Sequence, residues 1–334
     1  ARTYRWYAGD LTYNTIGQQG NTELLELVAA PIEFGASNLL SADRVKQPQK
    51  GLFGALSILP PGSTVAEDTQ VPDGQGSGTD TRLTRAQVTV TAPPGDAGSG
   101  GVFRENLAMG HKIANIRWKD GTAIANVNQG ELGREGAEDS GFAGFNYGME
   151  PSWFRFKLPP DVPFGNAGTP NSYGSIPNVQ AMFANLLTIE PDNNHIPAIP
   201  GVSAAGDPQT PVFIAAPGQA SRSHVLNGAS ADRDGTFILH GHVWQRDPFV
   251  CPGENDLGLT GLCLDSAATV DSTALGLNPI GKYMGGEEGM GHAYGHWPIL
   301  FNAGGTNGVT GDYLFRDYAP NGSRNGQFGI LRVE

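Results

Sequence analysis

Short apolar runs separated by glycine- and proline-rich segments occur throughout the chain and predict strands. Some runs alternate apolar with polar residues and others are continuously apolar, the patterns typical of half-buried and fully buried strands. These runs cover residues 2–9, 23–34, 50–62, 86–93, 153–159, 211–218, 236–244, 296–304, 311–318 and 328–333. The best helix candidate is 176–189, where apolar residues recur at helical spacing. We therefore expect an all-β fold built from antiparallel sandwiches.

A polar, glycine-rich stretch at 63–85 divides this pattern and is expected to be a linker. The segment before it, 1–62, contains too few predicted strands for a complete sandwich, which needs about 100 residues. Residue 2 already belongs to a strand pattern, so 1–62 is expected to hold the closing strands of a partial domain. The missing strands would come from preceding domains or from a second chain, because an unpaired edge promotes aggregation. Residues 86–334 form the second expected domain, with long loops.

Composition narrows the class of protein. The 334 residues include 48 glycines and 24 prolines, and only 16% are charged, which fits short strands joined by long loops. The net charge of −12 argues against nucleic acid and anionic membranes as partners. An acidic surface is compatible with solubility and with attraction of metal cations, and does not distinguish between them. No run of 18 apolar residues is present, so we expect no membrane span.

The two cysteines, Cys251 and Cys263, flank a loop rich in glycine, asparagine and aspartate. The chain contains no Cys-x-x-Cys pattern, so a structural zinc site is not expected. Isolated cysteines at this spacing favour a disulfide across the loop, and therefore an exported protein. The first residues do not resemble a signal peptide, so any such signal would have been removed.

Two histidines one residue apart, His240 and His242, interrupt an apolar run in TFILHGHVW. In an extended strand, residues i and i+2 share a face, so both imidazoles would project together. Two imidazoles on one face can bind one metal ion or two adjacent ions. The alternative is a pair of core histidines that are hydrogen bonded to carbonyl groups or carboxylates.

A second candidate cluster lies in YMGGEEGMGHAYGHW, residues 283–297. It offers thioether, carboxylate and imidazole groups, a combination that includes the soft ligands copper prefers. Its members are Met284, Glu287, Glu288, Met290, His292 and His296. The alternative is a polar loop in which His296 simply starts the next strand. The remaining histidines, His111, His195 and His224, stand alone and are expected to be exposed or hydrogen bonded, with His224 preceding a short strand.

Several segments in order resemble the last cupredoxin-type domain of multicopper oxidases. They are TFILHGHVWQRDPF, GHWPILFNAGG, GDYLFRDY and FGILRV, and the likeness is greatest to large bacterial enzymes of the manganese-oxidase type. RTYRWYAG and IEFGASNLLSADRVKQPQKGLFGALSI resemble the closing strands of a preceding cupredoxin domain. The resemblance spans nearly the whole chain, with little of it in 63–85 and 104–150. It implies cupredoxin-like Greek-key sandwiches in a secreted, periplasmic or cell-surface protein.

The family implies a copper cofactor and oxidation of a metal ion or small substrate coupled to dioxygen reduction. His240 and His242 match the last two histidines of the family pattern HPxHLHGH, but Gly235 and Ile238 occupy the two earlier histidine positions. Asp317 stands where a later strand usually carries cysteine, and a type 1 copper site requires that thiolate. The chain is thus expected to lack a type 1 site and to supply at most part of a trinuclear centre.

Two functions remain open. The chain is either the C-terminal portion of an extracellular multicopper oxidase or a non-catalytic cupredoxin-like module with a structural or assembly role in an extracellular complex.

Overall fold

The computed structural model describes residues 9–31, 35–39, 41–43, 46–67, 85–93, 101–113, 120, 142–151, 208–229, 235–245, 283–288, 295–318 and 326–334. These residues form strands and one short 3-10 helix, which confirms the expected all-β class. The predicted helix at 176–189 and the predicted strand at 153–159 lie outside the described residues, as do residues 2–8 of the first predicted strand. Within the described parts, no helix is long and apolar enough to cross a membrane.

The strands are numbered in chain order. Their bounds are β1 Gly9–Gln19, β2 Thr22–Pro31, β3 Gly35–Leu39, β4 Gly54–Ile58, β5 Thr64–Glu67, β6 Gln87–Ala92, β7 Gly101–Ile113, β8 Phe142–Phe145, β9 Val212–Ala215, β10 Ala220–Ala229, β11 Thr236–Leu239, β12 Trp244–Gln245, β13 Tyr283–Met284, β14 Gly286–Glu288, β15 His296–Asn302, β16 Gly311–Asp317 and β17 Phe328–Val333. The 3-10 helix, Pro48–Lys50, lies between β3 and β4.

Two large sheets dominate the fold. One has the order β15-β10-β7-β6-β5, with β8 also paired to β7, and the other has the order β14-β11-β16-β17-β9. The pairs β1-β2, β3-β4 and β12-β13 form separate two-stranded sheets. The pairings of β10 with β7 and of β17 with β9 are parallel, whereas the others are antiparallel. The sheets are therefore mixed rather than purely antiparallel.

Apolar side chains from both large sheets meet in one core. Val225 of β10 and Ile299 of β15 pack in the same cluster as Phe213, Phe315 and Leu331 of the other sheet. The rings of Phe213 and Phe315 stack with their centroids 5.4 Å apart. Face-to-face packing of two sheets around one apolar layer defines a β-sandwich, as the sequence predicted.

The β3-β4 hairpin covers the opposite face of the six-stranded sheet. Successive strand residues point to opposite faces, so Leu226 of β10 faces away from Val225. Leu226 and Met109 form a second buried cluster with Ala36 of β3 and Phe53, which directly precedes β4. The central strands β10 and β7 are therefore covered on both faces.

The predicted linker at 63–85 begins with a strand. Thr64–Glu67 forms β5 and pairs antiparallel with β6, so this part of the linker prediction is wrong. All four β5 side chains are exposed, and β5 forms an edge of its sheet. The division of the chain into domains stays a prediction.

Candidate functional site

The histidines at 240 and 242 do not lie on one regular strand. Strand β11 ends at Leu239, and a turn at His240 and Gly241 is closed by a hydrogen bond from the His242 amide to the Leu239 carbonyl (3.2 Å). Gly241 has φ of +74°, a left-handed conformation that favours glycine. The prediction of a shared strand face is therefore wrong, because the turn interrupts the alternation. His240 is exposed, whereas only 4% of His242 is exposed.

The buried His242 imidazole is hydrogen bonded through both ring nitrogens. The Gly304 amide donates to Nε2 over 3.0 Å, so Nε2 is the acceptor and the proton sits on Nδ1. Nδ1 in turn donates to the His240 carbonyl oxygen over 3.1 Å. The ring also packs edge-to-face on Tyr313 and Phe301, with centroid distances of 4.6 and 5.2 Å. Burial lowers the pKa of His242, and its backbone hydrogen bond to His240 only partly opposes that shift.

The exposed His240 also has a protein partner. Arg316 of β16 donates from Nε to His240 Nε2 over 3.1 Å. Partial desolvation of the ring, and then the positive charge of Arg316, lower the pKa of His240. The same guanidinium donates to the carbonyl oxygens of Asp317 and Tyr318, so several contacts hold it beside the ring. The arrangement matches the alternative of hydrogen-bonded histidines. Metal binding by His240 and His242 stays a prediction.

A second group of charged side chains lies where the six-stranded sheet meets the β3-β4 hairpin. The parallel register of β10 and β7 places Arg222 opposite Glu105. The antiparallel register of β10 and β15 pairs His224 with Pro298 and Leu226 with His296, so the two histidines are diagonal neighbours on one face. We refer to His224 and His296 as the sheet histidine pair.

Short contacts link the members of this group. His224 Nδ1 lies 3.2 Å from His296 Nε2, and His224 Nε2 lies 2.8 Å from Glu105 Oε1, although that N–H does not point straight at the oxygen. Arg222 Nε donates to Glu105 Oε2 over 2.6 Å. The hydroxyl of Ser57 on β4 donates to Glu105 Oε1, also over 2.6 Å. Two hydrogen bonds therefore fix the carboxylate, and the His224 ring lies against it.

Burial sets the charge state of this group. His224 is fully buried, and Arg222 and Glu105 are nearly so. Burial lowers the pKa of Arg222 to about 10, so the guanidinium stays charged at neutral pH and balances Glu105. Burial, and then the neighbouring His224, lower the pKa of His296 to about 4, so its imidazole is neutral at pH 7. Glu105 and Arg222 thus form a buried ion pair beside two imidazoles.

Gly35 of β3 lies against the sheet histidine pair. A Cβ atom at this position would lie 3.1 Å from Cε1 of His224 and 3.5 Å from Cε1 of His296. Gly35 also has φ of +88°, so a larger residue would be strained as well as crowded. The hairpin backbone can approach the two rings closely because residue 35 is glycine.

The second predicted cluster is only partly described. His296 is the first residue of β15, which confirms that it starts the next strand. The backbone places Met284 in β13 and both Glu287 and Glu288 in β14, while Met290 and His292 lie outside the described residues. Among the residues that the structure describes, no group of three or more histidines, cysteines, aspartates or glutamates could hold a metal ion.

The other predicted residues have different outcomes. Cys251, Cys263 and His195 lie outside the described residues, so the disulfide stays a prediction. His224 lies inside β10 rather than before a strand. His111 is 1% exposed, and within the described structure neither ring nitrogen has a hydrogen-bond partner, contrary to expectation.

Sequence reasoning missed Glu105, Arg222 and the pairing of His224 with His296. The segment SRSHVLN gives no clear strand signal, because both of its alternating sets mix polar with apolar residues. These sets are Arg222, His224 and Leu226 on one side and Ser221, Ser223 and Val225 on the other, so the apolar-polar alternation of a half-buried strand is absent.

Comparisons with known proteins leave the family undecided. No protein-family model and no curated protein matches the sequence. Solved structures similar to the chain include a multicopper oxidase, at 10% identity and a TM-score of 0.38, with 98% of this chain and 71% of that chain covered. A laccase from Botrytis aclada has 12% identity and a TM-score of 0.38, with 93% of this chain and 37% of the laccase covered.

A copper-containing nitrite reductase from Thermus scotoductus is similar at 13% identity and a TM-score of 0.36, with 95% of this chain and 45% of the reductase covered. The chain thus spans less than half of the laccase and of the reductase. Similarities at these identities and TM-scores do not identify a family or an activity.

Proposed function

We propose that the chain is a cupredoxin-like structural module of a multicopper-oxidase-type protein and that its His-Gly-His segment, residues 240–242, packs rather than binds copper. The proposed family rests on the sequence resemblance to multicopper oxidases, and the hydrogen bonds of the segment favour the structural role. A metal ligand needs a free lone pair on its ring nitrogen. The Nε2 lone pair of His242 accepts the Gly304 amide, and that of His240 accepts the Arg316 guanidinium.

The hydrogen bonding of His242 is the observation that carries this proposal. Binding a metal through Nε2 would leave the buried Gly304 amide without an acceptor. Binding through Nδ1 would require loss of that proton and of the bond to the His240 carbonyl. An unpaired buried donor or acceptor costs about 1–3 kcal/mol. The site is therefore organised for a neutral, hydrogen-bonded imidazole.

The surroundings of Asp317 do not fit a type 1 copper ion. Asp317 Oδ1 accepts a hydrogen bond from the Thr236 amide over 3.0 Å. A Cβ atom on Gly235 would lie 3.0 Å from the same oxygen, so a histidine there would displace the carboxylate. Aspartate also supplies no thiolate, which the blue copper site needs. These residues connect β11 to β16. Copper-dependent oxidation of a metal ion or small substrate would need a type 1 site with ligands from outside the described residues.

The partners and location are part of the same proposal. We propose that preceding domains or a second chain cover the β1-β2 hairpin. Its Tyr13, Leu25 and Leu27 are 65%, 52% and 54% exposed. Tyr13 pairs with Leu27, and Leu25 lies two residues along, so the three share one apolar face. We propose a secreted, periplasmic or cell-surface location, which follows from the disulfide that the sequence predicts between Cys251 and Cys263.

Replacing His242 with alanine tests the structural role. Loss of its two hydrogen bonds should lower the free energy of unfolding by about 1–3 kcal/mol without changing the copper content of the purified protein. His240→Ala is the control, because its side chain is exposed, and it should cost less. A fall in copper content in either variant would show that the segment binds metal and would refute the proposal.

A further inference from the structure

The sheet histidine pair has the spacing of two ligands on one metal ion. His224 Nδ1 and His296 Nε2 face each other at 3.2 Å. Nitrogen ligands lie about 2.0–2.1 Å from a tetrahedral zinc ion, which places two of them about 3.3–3.4 Å apart. We propose that His224 Nδ1 and His296 Nε2 bind one Zn²⁺ or Cu²⁺ ion at the junction of the six-stranded sheet and the β3-β4 hairpin. Imidazole suits both ions.

The carboxylate behind His224 favours this role. Histidine ligands usually donate their second ring N–H to a carboxylate, which fixes the tautomer and makes the free nitrogen more basic. Glu105 Oε1 lies 2.8 Å from His224 Nε2, and although the N–H is not aligned for a hydrogen bond, the nearby negative charge favours a proton there and leaves the Nδ1 lone pair for the ion. Arg222 and Ser57 fix Glu105 in turn. The inner ligand is thus oriented before any ion binds.

The outer ligand provides access. His296 is half-buried and begins β15, which is the edge strand of its sheet. In the proposed metal-free state, the carboxylate of Glu105 favours a proton on His224 Nε2, so that His296 Nε2 is the donor in its contact with His224 Nδ1. Metal binding requires that proton to leave Nε2 while Nδ1 of the same ring takes one from solvent. His296 remains neutral, so the net charge of the two ligands does not change.

The proposed ion has two protein ligands and completes its coordination with water. Glu105 contacts His224 rather than the ion, so the site does not need three protein ligands. Because residue 35 is glycine, it places no side chain of its own against the Cε1 atoms of the two rings. Such a site is separate from the His-Gly-His segment, and its existence does not depend on the proposed structural role of that segment.

Titration of the full chain with Zn²⁺, and separately with Cu²⁺, tests the site by calorimetry. The wild type should bind one ion at this site, and His296→Gln should weaken that binding at least tenfold. His240→Gln is the matched control, because it removes an exposed imidazole outside the site, and it should leave this affinity unchanged. Equal binding by the wild type and His296→Gln would overturn the inference, as would loss of binding only in His240→Gln or absence of binding by the wild type.

A second measurement does not require a variant to fold. In the wild type, nitrogen NMR of the imidazole rings should show Zn²⁺-dependent shifts at His224 Nδ1 and His296 Nε2. Shifts confined to His240 and His242 would overturn the inference and also contradict the proposed function. Shifts in neither pair would overturn the inference alone.

Discussion

The protein should lose less stability in mild acid when His111 is replaced with phenylalanine. His111 lies in β7 and is almost fully buried, with its ring stacked on Phe53 at a centroid distance of 5.3 Å. The Tyr147 ring also lies near, with its centroid 6.1 Å from that of the His111 ring. Burial lowers the pKa of His111 to about 3. The folded protein therefore keeps this imidazole neutral at pH values where the unfolded chain protonates it.

The sign and size of the effect follow from this difference in pKa. The ordinary histidine pKa is 6.5, so above that value neither state is protonated and His111 has no pH-dependent effect. As the pH falls from 6.5 towards 3, the unfolded state binds a proton that the folded state does not, and stability falls. At pH 5 the pH lies about 1.5 units below the pKa of the unfolded state, so the free energy of unfolding is lower by about 2 kcal/mol.

Urea unfolding at pH 7.5 and pH 5.0 measures this effect. The wild type should lose about 2 kcal/mol more than His111→Phe between the two pH values, because the other histidines titrate in both proteins. At pH 7.5 the variant should be at least as stable, since it removes two buried ring nitrogens that have no described partner. The same pH dependence in both proteins would show that His111 does not have a depressed pKa and would refute the reasoning.

Three further predictions concern the cysteines, the N-terminal segment and the buried ion pair. Cys251 and Cys263 should form a disulfide worth roughly 3 kcal/mol, and two reactive thiols in the denatured, unreduced protein would contradict it. A fragment of residues 1–62 should not fold, because its apolar residues pack on the six-stranded sheet, and a cooperative melt of that fragment would disprove this. Glu105→Gln should lower the free energy of unfolding by about 3–5 kcal/mol, because it leaves the buried Arg222 guanidinium uncompensated. Asp312→Asn, in a more exposed ion pair with Arg332, should lower it by less in the same assay. Equal losses in the two variants would contradict the burial assigned to the Glu105–Arg222 pair.

The apolar strands could be predicted from the sequence because burial on one or both faces leaves a direct pattern. FGILRV, for example, is buried along nearly its whole length as β17 in the middle of its sheet. β10 could not be predicted in this way. Its Arg222 and His224 are buried through partners on β7 and β15, which are distant in sequence, so its composition resembles that of an exposed segment.

The candidate site shows the same limit. His240 and His242 attract attention because only one residue separates them in sequence, yet the turn at Gly241 gives them different environments. His224 and His296 are 72 positions apart and meet through the register of β10 with β15. Local spacing predicts a site only where the backbone stays regular, and pairing between distant strands is not visible in local spacing.

The visible absorption spectrum of the copper-loaded chain tests the central claim most directly. The claim is that Asp317 and the His-Gly-His segment form a hydrogen-bonded scaffold without a type 1 copper site. Copper per chain is measured on the same sample, so that a colourless protein that holds copper can be distinguished from one that holds none. We predict no intense thiolate-to-copper band, whatever the copper content, because β16 carries no cysteine. A strong blue colour from this chain alone would contradict the account.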